Sequence, residues 1–180
     1  LPIFLQIAEA LAYTHNAGII HRDLKPSNVL ILPPDQVRIV DFGIAKLQTQ
    51  EGGDTAALTQ TGEVFGSPLY MSPEQCNSQK VDQRSDLYSL GITLFQALTG
   101  RPPLLGKSAI ETTIMHQTTL PPKLNEVSED LEFAPELEAV VAKMLEKKPA
   151  DRYSWLDDVA RDLLKIEHNE ELIPLNGQEK

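Results

Sequence analysis

The chain has 180 residues, of which 16 are lysine or arginine and 26 are aspartate or glutamate, giving a formal net charge of −10. An acidic chain is repelled by a phosphate backbone, so this charge argues against a nucleic-acid-binding protein. Apolar residues make up 41% of the chain and charged residues 23%, which is typical of a folded domain and excludes a disordered tail.

The first half of the chain alternates between regular patterns and polar stretches. Apolar residues recur with helical spacing over 3–16, which predicts an amphipathic helix that stops before Gly18. Two β-rich runs, 29–32 and 37–40, flank a Pro-Pro-Asp-Gln loop and predict a hairpin. Residues 41–74 contain glycines and prolines with no sustained period. We interpret them as one long irregular segment, and such loops are usually functional.

Helical patterns dominate the second half. The run 86–98 is apolar nearly all round, which predicts a central buried helix. A shorter helix is predicted around 108–117, and another follows Pro135. The last helix is predicted to begin at Ser154 with a Ser-x-x-Asp capping box, and a polar tail follows Glu167.

The cysteine and histidine content limits the kinds of site that are expected. The single cysteine, Cys76, cannot form an internal disulfide, and the histidines are too scattered for a zinc cluster, so a cytoplasmic setting is expected. Outside the motif described below, these residues are interpreted as packing or surface residues. No apolar stretch approaches the roughly 20 residues that span a bilayer, so no membrane contact is expected from this segment. The start at Leu1, without Met, indicates an internal piece of a longer protein.

The open end of the predicted hairpin brings three polar side chains together. If Leu32 pairs with Val37, then Asn28 lies opposite Asp41, and Asp23 precedes them on a polar loop. Carboxylate and amide oxygens suit Mg²⁺, which takes its remaining ligands from phosphate and water. The second carboxylate is then left to orient or deprotonate a nucleophile.

Three short motifs connect this geometry to a family. Lys25 adds a positive charge beside the acids, as is needed to neutralise a phosphoryl group during transfer. Residues 21–28 read HRDLKPSN, 41–43 read DFG and 72–74 read SPE. In this order they resemble the catalytic loop, magnesium loop and end of the activation segment of Hanks-type serine/threonine protein kinases, and the surrounding sequence is similar to bacterial members.

The resemblance implies a fold and an activity. Residues 1–167 would form the C-terminal lobe of a protein kinase, mainly α-helical with a small β-hairpin at the catalytic cleft, and residues 168–180 a polar tail. The implied activity is transfer of the γ-phosphoryl group of ATP, with Mg²⁺, to serine or threonine hydroxyls of protein substrates.

The resemblance also implies a role for each residue of the motifs. Asp23 would accept the proton of the substrate hydroxyl, while Lys25 would contact the transferring phosphate of ATP. Asn28 and Asp41 would hold the magnesium ions. Ser67 would bond to Asp23 and Lys25 beside the substrate hydroxyl.

Three further residues are expected to support the loop. Asp86 would hold the backbone of the catalytic loop, although a helix N-cap is an equally good interpretation of this residue. Arg152 would pair with Glu74, and the alternative is two solvated surface charges of little energetic value.

The irregular segment contains candidate regulatory residues. A phosphate on Thr59 or Thr61 could dock on the guanidinium of Arg22 and order the segment, and the alternative is a merely polar loop.

Two elements of a complete kinase are missing from the sequence. The glycines do not form a G-x-G-x-x-G loop, and Lys46 follows the DFG motif, so it cannot be the strand lysine that grips ATP. We therefore expect that the N-terminal lobe is absent and that this fragment alone is inactive. A pseudokinase-like binding module is the alternative. A small-molecule kinase of the aminoglycoside or choline type is a third possibility, but Lys25 and the SPE motif are not expected in one.

Overall fold

The computed structural model describes residues 1–43, 68–128 and 131–168. These residues are mainly helical, with one two-stranded antiparallel sheet. The elements in chain order are α1 (Pro2–Asn16), β1 (Val29–Leu32), β2 (Gln36–Ile39), α2 (Pro73–Cys76), α3 (Gln83–Thr99), α4 (Ala109–Thr118), α5 (Leu124–Val127), α6 (Pro135–Met144) and α7 (Leu156–Glu167). Short 3₁₀ turns lie at Pro26–Asn28, Pro68–Tyr70 and Pro149–Asp151. None of the described helices is long and apolar enough to cross a membrane.

Helix α3 forms the centre of the fold, as its apolar pattern predicts. Every residue from Ser85 to Phe95 is buried, and the helix ends at Gly100, which adopts the left-handed conformation (φ 77°). The helix begins three residues earlier than predicted, because the side chain of Asp82 caps it by accepting a hydrogen bond from the Arg84 backbone N–H. Asp86 is therefore not the N-cap, and its carboxylate is available to the neighbouring loop.

Helices α1 and α6 pack against α3 and complete the core, and α7 packs on α6. Helix α1 buries Ile7 and Leu11 against this core and packs on α7. The prediction of a capping box at Ser154 is wrong. The backbone is still extended at Trp155 (φ −134°, ψ 148°), so α7 starts at Leu156 with no side-chain cap. Helices α4 and α6 lie close to their predicted positions, with Ser108 capping α4.

The hairpin forms where it is predicted, but its register differs by one residue. Val29 pairs with Ile39 and Leu32 with Gln36, so the loop has three residues instead of four. Asp35 adopts the left-handed conformation (φ 72°), which lets the chain reverse one residue early. Asn28 is consequently level with Val40, whose N–H donates to the Asn28 carbonyl at 2.9 Å. The predicted position of Asn28 opposite Asp41 is wrong by one residue.

Candidate active site

The loop between α1 and β1 is built around His21, which is fully buried. Its Nε2 lies 3.0 Å from the Val40 carbonyl, and its Nδ1 accepts a hydrogen bond from the Asp23 backbone N–H at 3.2 Å. Only the neutral ring protonated at Nε2 satisfies both contacts. The imidazole therefore ties the loop to the end of the hairpin and orients the backbone of Asp23.

Asp86 on α3 also binds the backbone of this loop. Its carboxylate accepts hydrogen bonds from the backbone N–H groups of His21 and Arg22, each at 2.8 Å. His15 at the end of α1, whose side chain is buried, places its Nε2 2.7 Å from the same carboxylate. Sequence reasoning interpreted His15 as a packing or surface residue and missed this contact. Residues 15 and 86 are far apart in the chain, and no sequence spacing signals their pairing.

Asp23, Lys25 and Asn28 form one hydrogen-bonded cluster. The Lys25 ammonium donates to the Asp23 carboxylate at 2.8 Å. The Asn28 amide nitrogen donates to the Asp23 backbone carbonyl at 2.8 Å and lies 3.4 Å from its carboxylate. Lys25 and Asp23 remain partly exposed, with 24% and 20% of their side chains accessible. The carboxylate is therefore held by its neighbours and still reachable by a substrate.

The DFG segment packs directly against this loop. The Gly43 N–H donates to the His21 carbonyl at 2.8 Å, and the Phe42 ring lies 4.6 Å from the His21 ring, centroid to centroid. A Cβ atom at position 43 would lie 3.0 Å from the His21 carbonyl oxygen, a contact tighter than most that a Cβ makes, so this close approach favours glycine. Asp41 is exposed and adopts the left-handed conformation (φ 56°) where the chain leaves the hairpin.

The oxygen donors of Asn28 and Asp41 fit the chemistry that Mg²⁺ requires. Asn28 is only 4% exposed, and its nitrogen is committed to Asp23. From the described residues its Oδ1 receives only a long 3.5 Å contact from Ser27. Within the described ranges, no hydrogen bond or ion pair holds the Asp41 carboxylate. No group of three or more histidine, cysteine or acidic side chains that could hold a metal occurs among the described residues. A metal here would need further oxygen ligands, which phosphate and water supply.

Glu74 of the SPE motif is held by a buried ion pair. Arg152 donates to both carboxylate oxygens of Glu74 at 2.8 Å, and Ser85 donates to the same carboxylate. Burial opposes ionisation of Glu74, but the hydrogen bonds and charge of Arg152 outweigh it and hold the pKa of Glu74 below its usual range. The alternative of two solvated charges does not apply, because both residues are buried.

A second buried polar group lies next to this ion pair and was missed by sequence reasoning. The Tyr88 hydroxyl lies 2.9 Å from Nδ1 of His116, and Lys147 approaches the same hydroxyl at 3.4 Å. Burial and the nearby Lys147 charge lower the pKa of His116 to about 4. Burial and the Arg152 charge lower the pKa of Lys147 to about 8. His116 is a packing residue, as interpreted, but it also joins α4 to α3 through Tyr88.

Three residues singled out in the sequence, Thr59, Thr61 and Ser67, lie outside the described residues.

Comparison with known proteins identifies the family of the chain. The family model for the protein kinase domain matches residues 2–166. The chain belongs to the protein kinase family. It is 44% identical over 154 residues to the serine/threonine-protein kinase Pkn3 of Myxococcus xanthus, an alignment that covers 83% of this chain and 28% of that protein. It is 39% identical over 168 residues to the serine/threonine-protein kinase PknB of Mycolicibacterium smegmatis, covering 92% of this chain and 26% of that protein.

These relatives confirm two of the predictions. The resemblance to bacterial Hanks-type kinases is confirmed, and so is the mainly α-helical kinase fold with a small hairpin. The protein kinase chain spans about a quarter of the length of these curated relatives.

Proposed function

We propose that the full protein containing this chain is a serine/threonine protein kinase, and that residues 1–167 supply the catalytic-loop half of its active site. The observation that carries the proposal is the cluster of Asp23, Lys25 and Asn28. The side chains of Lys25 and Asn28 both donate hydrogen bonds to Asp23, and the DFG segment packs beside them. A partly exposed carboxylate with an ammonium 2.8 Å away is suited to phosphoryl transfer to a hydroxyl.

The proposed reaction assigns one role to each side chain. The Asp23 carboxylate orients the substrate hydroxyl and takes its proton as the oxygen attacks the γ-phosphorus and the bond to ADP breaks. The Lys25 ammonium, held on that carboxylate, balances negative charge on the phosphoryl oxygens. Asn28 and Asp41 would hold Mg²⁺, which supplies charge neutralisation of the ATP phosphates when it is bound. Ser67 would bond to Asp23 and Lys25 beside the substrate hydroxyl.

The supporting residues keep this arrangement in place. Asp86 holds the loop through two backbone N–H groups, and the Glu74–Arg152 pair anchors the helix after the activation segment. The guanidinium of Arg22 would bind the phosphate group of a phosphorylated Thr59 or Thr61. Mass spectrometry of the active protein tests whether either threonine is phosphorylated.

The surface of the hairpin supports a requirement for a second lobe. Leu30, Ile31 and Leu32 of β1 are all exposed, although they are apolar and lie beside the candidate site. A nucleotide-binding lobe elsewhere in the full protein would cover these residues and would supply the glycine-rich loop and the strand lysine that bind ATP. We also propose, from the sequence composition, that residues 168–180 are a polar tail outside the lobe. The full protein would act in the cytoplasm on protein substrates and would not bind nucleic acid.

A phosphotransfer assay tests the proposal. The full-length protein is incubated with ATP, Mg²⁺ and a generic protein substrate, and the modified residues are located by mass spectrometry. Phosphoserine or phosphothreonine that appears only with Mg²⁺, and is lost in Asp41→Asn, is the expected result. A full-length protein that binds partners but transfers no phosphate would instead match the pseudokinase-like alternative.

A further inference from the structure

Gln75, in the first turn of α2, connects two parts of the site through the two ends of one amide. Its Oε1 accepts hydrogen bonds from the Ser72 backbone N–H at 3.0 Å and from the Ser72 hydroxyl at 3.2 Å. Its Nε2 donates to the Arg22 carbonyl in the catalytic loop at 2.8 Å. A carbonyl can only accept, so the amide has one orientation that satisfies all three contacts.

The carbonyl that Gln75 binds belongs to a peptide unit under conformational strain. Arg22 has φ 64°, a left-handed conformation that is unfavourable by about 1–2 kcal/mol for a residue with a Cβ. The Arg22 N–H is held by Asp86, and the Asp23 N–H at the other end of the Arg22–Asp23 peptide is held by His21. The Gln75 bond is the contact that fixes the carbonyl of that same peptide.

We propose that Gln75 is a positioning residue that sets the Arg22–Asp23 peptide and thereby aims the Asp23 carboxylate. The inference rests on the proposed kinase function of the full protein. Rotation of this peptide would swing the Asp23 side chain, and a misplacement of about 1 Å in a catalytic group can lower the rate about 10²-fold. The contact also makes the geometry of Asp23 depend on the helix that follows the activation segment.

Glutamate at this position separates the positioning role from a capping role. Gln75 and Ser72 form a capping box, in which glutamate serves as well as glutamine. A glutamate carboxylate still accepts from Ser72, but it has no hydrogen to donate to the Arg22 carbonyl. Gln75→Glu therefore keeps the cap and removes the bond to the loop, whereas Gln75→Met removes both.

The matched control is Ser72→Ala, which removes the Ser72 hydroxyl from the cap and leaves the Ser72 N–H and the Arg22 carbonyl in place. The full-length protein and its three variants are assayed for kcat and for KM of ATP, with thermal unfolding used to correct for the folded fraction. A positioning role predicts that kcat falls about 10-fold to 100-fold in both Gln75→Glu and Gln75→Met. It also predicts an unchanged KM for ATP in both Gln75 variants. Ser72→Ala should have the same kcat and KM as the unsubstituted protein.

The outcomes separate this inference from the proposed function. If Gln75→Glu retains the kcat of the unsubstituted protein and only Gln75→Met is impaired, Gln75 is a capping residue and the inference is overturned, while the proposed function stands. If Gln75→Glu does not fold, the kcat of folded Gln75→Met decides, and an unchanged value overturns the inference. If the unsubstituted protein transfers no phosphate, the proposed function fails and the inference fails with it.

Discussion

Replacement of Arg152 by methionine tests the energetic importance of the buried ion pair. Arg152 is 4% exposed and uses all five of its N–H groups. Two donate to Glu74, and three donate to the backbone carbonyls of Arg84, Glu146 and Lys147 at 2.8–3.0 Å. Methionine fills much of the same volume but donates no hydrogen bond, so the variant leaves the Glu74 carboxylate buried without its ion-pair partner.

The expected loss of stability follows from that unpaired charge. Glu74 is 3% exposed, and removal of one partner of a buried pair costs about 3–5 kcal/mol because the remaining charge stays desolvated. This is a large part of the roughly 5–15 kcal/mol that stabilises a typical domain. The double variant Glu74→Gln with Arg152→Met removes the charge as well, so we expect it to be more stable than Arg152→Met alone.

Urea denaturation of the full-length protein at neutral pH provides the measurement. A loss below about 1 kcal/mol for Arg152→Met would refute the reasoning, because that is the value of a solvated surface pair. A double variant no more stable than Arg152→Met would also contradict it, since the penalty would then not come from the charge of Glu74.

The pH dependence of the same variant provides a second readout. In the unsubstituted protein Arg152 holds the pKa of Glu74 below its usual range, so this stabilisation is present above the ordinary glutamate pKa and is lost as pH falls through the folded value. In Arg152→Met the hydrogen bonds and charge of Arg152 no longer lower the pKa of Glu74, while burial still raises it and only the hydrogen bonds from Ser85 and the backbone oppose burial, so this variant loses less stability as the pH falls. The stability difference between the two proteins should therefore narrow as the pH falls through the ordinary glutamate pKa.

Two further predictions concern packing and titration in the core. Gly91→Ala should lower stability by about 1 kcal/mol in urea denaturation, because the added methyl would lie 2.9 Å from Met144 Cβ and overpacking outweighs the better helix propensity of alanine. An increase in stability would contradict this packing. His116→Gln should flatten the loss of thermal stability between pH 6.5 and pH 4, because the folded pKa of His116 lies at about 4 and the unfolded chain takes up the proton first. Parallel melting curves for the two proteins would show that His116 does not contribute.

The long helices and the motif positions were predictable because each rests on local signals. The apolar pattern around α3 and the helix-ending Gly100 depend only on residues within the helix. The HRDLKPSN and DFG motifs identified the candidate site, and the structure brings Asp23, Lys25 and Asn28 together.

The details that failed depend on tertiary contacts or on single backbone angles. The hairpin register follows from Asp35, whose left-handed conformation shortens the loop, and from Gln6 of α1, which bonds to the Asp35 carbonyl and the Val37 N–H. The link between His15 and Asp86 joins two helices that no local pattern relates. The start of α7 depends on an extended Trp155, although Ser154 has the composition of a cap.

The most direct test of the central claim compares Asp23→Asn with the unsubstituted full-length protein. Asparagine keeps the size of the side chain but cannot take a proton, so we expect kcat to fall about 10²-fold to 10⁴-fold with ATP binding unchanged. ATP affinity is measured separately by calorimetry, and thermal unfolding establishes that the variant is folded. A folded Asp23→Asn protein that retains full phosphotransfer would contradict the assignment of this loop as the catalytic centre.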